Sequence, residues 1–196
     1  MKRAALLVAG LTAGCAGIVA PPPGAPERAH GARTYSASLR VSLRSPTLRG
    51  GARALVAFAR PDSLRLEVPG PTGARCIAVA RGVSLVAAFP AERAVWRGAA
   101  TADEMASLLG VRLTPAELMD VLVGAGGPRL RDYRASWGTA LPRRIEATLD
   151  DGTRLTATVD SADLEPDLPE AAFDEPGNPE WRVVDADEAR RLLGIR

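Results

Sequence analysis

From Tyr35 to Arg44 hydrophobic and polar residues alternate: Tyr35, Ala37, Leu39, Val41 and Leu43 fall on one side, Ser36, Ser38, Arg40, Ser42 and Arg44 on the other. A period of two sustained this long predicts a strand with one wet face. Residues 53–60 (RALVAFAR) predict a second strand, apolar on both sides. After Pro61-Asp62 the alternation returns with Leu64, Leu66 and Val68, so these runs predict a hairpin. Pro69-Gly70-Pro71-Thr72-Gly73 reads as a rigid turn, followed by strands near 75–80, 83–89 and 93–97. Connections this short favour an antiparallel meander.

Two helices announce themselves by their caps. Thr101-Ala102-Asp103-Glu104 has the form of a capping box ahead of Met105, Leu108 and Leu109, and Thr114-Pro115-Ala116-Glu117 is a second ahead of Leu118, Val121 and Leu122. Gly110 and Gly124 stand where left-handed C-terminal caps are expected. Helices of about two turns are unstable alone, so their apolar stripes are expected to lie on the sheet. Strand patterning resumes at 130–137 and again with Ile145, Ala147 and Leu149, then Leu155, Ala157 and Val159, around the hairpin signal Asp151-Gly152. Beyond Asp160 the chain is acidic and broken by prolines, and Asp185-Ala186-Asp187-Glu188 predicts one last short helix.

The N-terminus has a different pattern. Met1-Lys2-Arg3 is a short positive segment, residues 4–11 (AALLVAGL) are apolar, and Ala13-Gly14-Cys15 follows. The apolar run is too short to span a bilayer and reads as an export signal. The small residues before Cys15 resemble a bacterial lipobox, with Thr12 where an aliphatic residue is usual. Cys15 is therefore the expected lipidation site, and the membrane an expected partner through that lipid. Pro21, Pro22, Pro23 and Pro26 with Gly24 and Gly31 predict an unstructured tether, which holds His30 as a solvated residue. The expected division is a signal over 1–14, a lipidated cysteine and tether over 15–34, one domain over 35–173, and an acidic tail with a short helix over 174–196.

Composition narrows the chemistry. The chain has 196 residues, one histidine and two cysteines, which removes most histidine metal sites and any disulfide framework. No cofactor is expected. The net charge of +2 conceals an asymmetry: residues 28–112 hold 13 arginines against five acids, and residues 150–188 hold 13 acids against two arginines. Either the two regions attract each other or they dock to a charged partner. Arginines on alternate strand positions with few aromatics offer no stacking platform for nucleic acid. No nucleophile elbow, HExxH or phosphate loop is present, Gly124-Ala125-Gly126-Gly127 reads as a turn, and Cys76 on an apolar strand reads as a small buried hydrophobe, so no enzyme activity is expected.

Three segments together resemble the LolB outer-membrane lipoprotein receptors and, more distantly, the LolA carriers: LRLEVPGPTG, TADEMASLLGVRLTPAELMDVLVG and ALPRRIEATLDDGTRLTATVD. The resemblance implies an α+β, mainly β fold, with a strongly curved antiparallel sheet forming an incomplete barrel and short helices covering an apolar cavity. It implies acyl chains of lipoproteins as cargo, a LolA-like periplasmic carrier as partner, a monomer, and the periplasmic face of the outer membrane. A non-catalytic structural, assembly or general lipid-binding lipoprotein of the same fold is the alternative. Combined with the alternation, it makes Leu39, Val41, Val56, Phe58, Leu66, Val68, Met105, Leu109, Leu118 and Leu122 the expected cavity wall. Thr72 occupies the loop position where such receptors carry an exposed leucine for membrane transfer.

Overall fold

The computed structural model describes residues 19–46 and 49–194. The signal segment and Cys15 lie outside the described residues. After a short helix, α1 (Ala25–Gly31), six strands follow in the order the alternation predicts: β1 (Thr34–Arg44), β2 (Arg49–Ala59), β3 (Ser63–Gly70), β4 (Gly73–Arg81), β5 (Ser84–Phe89) and β6 (Ala94–Ala99). Helices α2 (Ala102–Leu109) and α3 (Pro115–Leu122) come next, then β7 (Leu130–Trp137), β8 (Pro142–Leu149) and β9 (Arg154–Leu164), a two-residue strand β10 (Arg182–Val183) and helix α4 (Ala186–Leu193). At α3 the capping box is complete: the Glu117 amide donates to Thr114 Oγ1 and the Thr114 amide to Glu117 Oε2. At α2 and α4 only the first half is made, with Thr101 and Asp185 accepting from the amides of Glu104 and Glu188.

Among the described residues all ten strands join one sheet, in the order β10-β6-β5-β4-β3-β2-β1-β9-β8-β7. This corrects the expectation of a strongly curved incomplete barrel, because the sheet is open and neither closed nor strongly curled. Its edges, β10 and β7, do not pair with each other. Nor is it antiparallel throughout, since β10 runs parallel to β6. The expectation fails for a physical reason: alternation assigns each residue to a face but says nothing of curvature, which needs repeated bulges, glycine kinks and a consistent shear.

Two segments are more ordered than their prolines predict. Pro26 stands in the first turn of α1, where its missing amide would have had no helical acceptor, so it starts the helix instead of breaking it. Ala25 and Ala29 of this helix are fully buried. Further back, the Val19 carbonyl accepts from the Trp137 amide at 3.0 Å. The segment from residue 19 thus runs along the domain. At the other end, residues 170–174 lie on the outer face of β3 and β4: Phe173 is buried, Arg65 donates to the Ala172 carbonyl, and Arg81 pairs with both Glu170 and Asp174. Arg97 pairs with Glu175. The charge asymmetry is therefore satisfied in part within the molecule. Beyond β10 the chain passes to the opposite face, where α4 packs on α2.

Candidate functional site

Helices α2, α3 and α4 roof the face on which β1, β2 and β3 present their apolar residues, and a cleft of about 180 Å³ remains between roof and sheet. The cleft arises from a taper in β2. Its inward residues, paired across to β1, shrink steadily along the ladder: Phe58 opposite Tyr35, Val56 opposite Ala37, Ala54 opposite Leu39, Ala52 opposite Val41 and Gly50 opposite Leu43. At the end with the large residues Tyr35 and Phe58 stack, with ring centroids 5.1 Å apart and planes 18° from parallel. At the other end no described residue fills the space, and a Cβ placed on Gly50 would meet no atom of the described residues within 4 Å.

The floor of the cleft comprises Leu39, Val41 and Leu43, Ala54 and Val56, and Leu66 and Val68, closed at one side by Ile145 of β8 and Leu155 and Ala157 of β9. The roof brings Leu109, Leu118, Val121, Leu122 and Leu193. Of the residues expected to form the wall, the structure thus places Leu39, Val41, Val56, Leu66, Val68, Leu109, Leu118 and Leu122 on the cleft. Phe58 and Met105 are fully buried elsewhere in the core. Thr72 sits exposed at the tip of the β3–β4 hairpin.

Specific bonds hold the roof. Asp120 of α3 pairs with Arg60, just past β2, at 2.8 Å, and the Tyr133 hydroxyl donates to the Val121 carbonyl. Arg190 of α4 donates through Nε and Nη2 to the Ser107 carbonyl of α2. Gly124, just past α3, has φ +90°, and a Cβ there would come within 2.5 Å of the Trp137 ring, so this turn needs glycine on both counts.

Among the wall residues that sequence reasoning missed are Gly50, Gly51, Arg75 and Leu193. Glycines carry no hydrophobic signal, although a Gly pair extending a strand is itself a mark of close approach. Among the described residues Arg75 is the charged exception on a wall otherwise aliphatic or glycine. It is the extra residue of a β-bulge, since Val68 pairs with Cys76 and Pro69 with Ala74, leaving Arg75 between them without a partner position. A bulge re-aims a side chain that strict alternation would send to the other face. Next to it, burial pushes the Cys76 thiol up to about 12, so it stays protonated and unreactive. Among the described residues no group of three His, Cys, Asp or Glu is placed to hold a metal, and no helix is long and apolar enough to cross a membrane.

No family model matches the sequence, and no curated protein does. Several solved structures are similar in fold. A conserved uncharacterised protein from Thermus thermophilus is 12% identical, with 82% of this chain and 96% of that one covered and a TM-score of 0.44. A LolA superfamily protein from Nitrosomonas europaea is 11% identical, covering 80% and 99%, with a TM-score of 0.47. A candidate outer membrane lipoprotein-sorting protein domain from Vibrio parahaemolyticus is 8% identical, covering 76% and 93%, with a TM-score of 0.46. At these identities and TM-scores the likenesses carry nothing about what this chain binds.

Proposed function

We propose that this chain is a non-catalytic envelope lipoprotein, anchored through Cys15, whose cleft binds an acyl chain as a general lipid-binding module. The observation that supports this reading is the aliphatic cleft itself, left open by the taper from Phe58 to Gly50. Its size resembles that of engineered apolar cavities of about 150 Å³ that stay dry and take up benzene, so it suits a chain segment of roughly six carbons. Withdrawing such a segment from water contributes about 0.8 kcal/mol per CH₂. A longer chain would pass out at the Gly50 end or part the roof.

Receptor-type delivery of lipoproteins into a membrane is the narrower reading drawn from the family resemblance, and it has less support. The hairpin tip presents Thr72, whose hydroxyl and short side chain are poorly suited to wedging among acyl chains. The test is direct: titrate the purified protein with octanoate and analyse an organic extract of the freshly isolated protein for bound acyl chains. Saturable octanoate uptake or a stoichiometric acyl component supports the reading, and the absence of both contradicts it.

A further inference from the structure

Among the described residues the cleft has one charged group on its wall, and the backbone departs from regular pairing to put it there. Cys76, Ala78 and Ala80 of β4 face inward, opposite Val68, Leu66 and Leu64 of β3. Regular alternation would send Arg75 to the opposite face of the sheet. The bulge between Val68 and Pro69 changes that, and Arg75 lies instead on the rim of the cleft, exposed to water.

Among the described residues no carboxylate pairs with the Arg75 guanidinium. The carboxylates of the described arginine pairs are taken up by Arg40, Arg53, Arg60, Arg65, Arg81, Arg97, Arg112, Arg129, Arg144 and Arg182. Arg75 is in none of these pairs. Beside it lies the C-terminal end of α4, where a Cβ on Gly194 would come within 3.3 Å of Arg75 Nη1. The helix dipole favours a cation at that position, which steadies the guanidinium over the opening without neutralising it. A guanidinium so held presents a fork suited to the paired oxygens of a carboxylate or phosphate.

Building on the acyl-binding reading, we propose that Arg75 makes the cleft selective for single-chain amphiphiles with an anionic oxygen headgroup, the chain lying against Val56, Leu66 and Val68 and the headgroup on the guanidinium. An aliphatic site without Arg75 would take alcohols, cationic surfactants and carboxylates of equal chain length alike. With it, the anion gains a charge-assisted bond that the others cannot make.

The experiment uses four eight-carbon probes: octanoate, octyl phosphate, octanol and octyltrimethylammonium, each titrated into the purified protein and into its Arg75→Gln, Arg75→Glu and Arg134→Gln variants. The anionic probes are expected to bind roughly tenfold more tightly than octanol, the size of one charge-assisted hydrogen bond. Arg75→Gln removes that margin, so that within this variant the anionic probes bind no more tightly than octanol, Arg75→Glu transfers the preference to octyltrimethylammonium, and Arg134→Gln, on the edge strand β7, changes nothing. Comparing octanoate with octyl phosphate tells which anion fits the fork. Circular dichroism of each variant establishes that it is folded, and Arg75→Lys, which keeps the charge, retains the anionic preference. Equal binding of all four probes, or an octanoate preference that survives Arg75→Gln, overturns the proposal while leaving the acyl-binding reading intact. Failure of every probe to bind contradicts the acyl-binding reading and this proposal with it.

Discussion

The two ends of the β1–β2 ladder share one alternation and one sheet face, yet one end is solid and the other open. Where Tyr35 meets Phe58 the rings stack, both residues are fully buried, and Arg60 lies over the Phe58 ring at 5.4 Å. Where Leu43 meets Gly50 the opposing side chain is absent and the cleft begins. The sheet does not curl into a container. A binding space can instead be made on an open sheet by grading side-chain size along one strand and roofing the result with short helices. Protein interiors are close-packed as a rule, so a row of Ala and Gly opposite full-sized aliphatic residues leaves a void that the roof does not fill.

This contrast can be broken at several points. The largest effect is expected at the solid end: Phe58→Ala removes a stacked, fully buried ring and should cost about 3–5 kcal/mol in urea unfolding, a loss that includes the cavity left behind. Octanoate binding in the folded fraction should persist, because Phe58 is not on the cleft wall. Next is the roof. Thr114→Ala removes one half of the completed box at α3 and should cost about 1 kcal/mol; since α3 carries Leu118 and Leu122 over the cleft, ligand affinity should fall with it. The smallest effect is expected on the wet face, where Arg40 pairs with Asp160 at 2.9 Å with its side chain largely exposed. Arg40→Gln should shift stability by less than about 1 kcal/mol and leave binding unchanged.

Much of this arrangement is legible in the chain itself. A period of two assigns Leu39 and Val41, and Leu66 and Val68, to one face, and distance from the Thr114 cap does the same for Leu118 and Leu122. Those signals are local, and short-range sterics decide them. The open sheet is not legible, because the curvature of a sheet depends on how many strands pair and with what stagger. Nor is Phe58 distinguishable from Val56, two positions away on the same face; which of them borders a void depends on the size of the residues opposite. Arg75 is hidden by the bulge, a one-residue slip that no periodicity displays. Pro26 misleads because a proline that breaks regular structure and one that begins a helix look alike until the burial of the residues beyond them is known. Leu193 escapes notice because the acidic segment before it reads as a tail, whereas its charges dock on Arg81 and Arg97 and carry the chain back to the cleft.

The most direct test of the tapered cleft is a single substitution at its open end. Gly50 has ordinary strand geometry and, among the described residues, vacant space where a side chain would begin, so Gly50→Leu should leave the thermal midpoint unchanged or slightly raised. Titration of the purified protein with octanoate should show one saturable site, and the Gly50→Leu protein none. Octanoate binding that persists unaltered in Gly50→Leu would show that the ligand site lies elsewhere and that the taper from Phe58 to Gly50 is not what makes it.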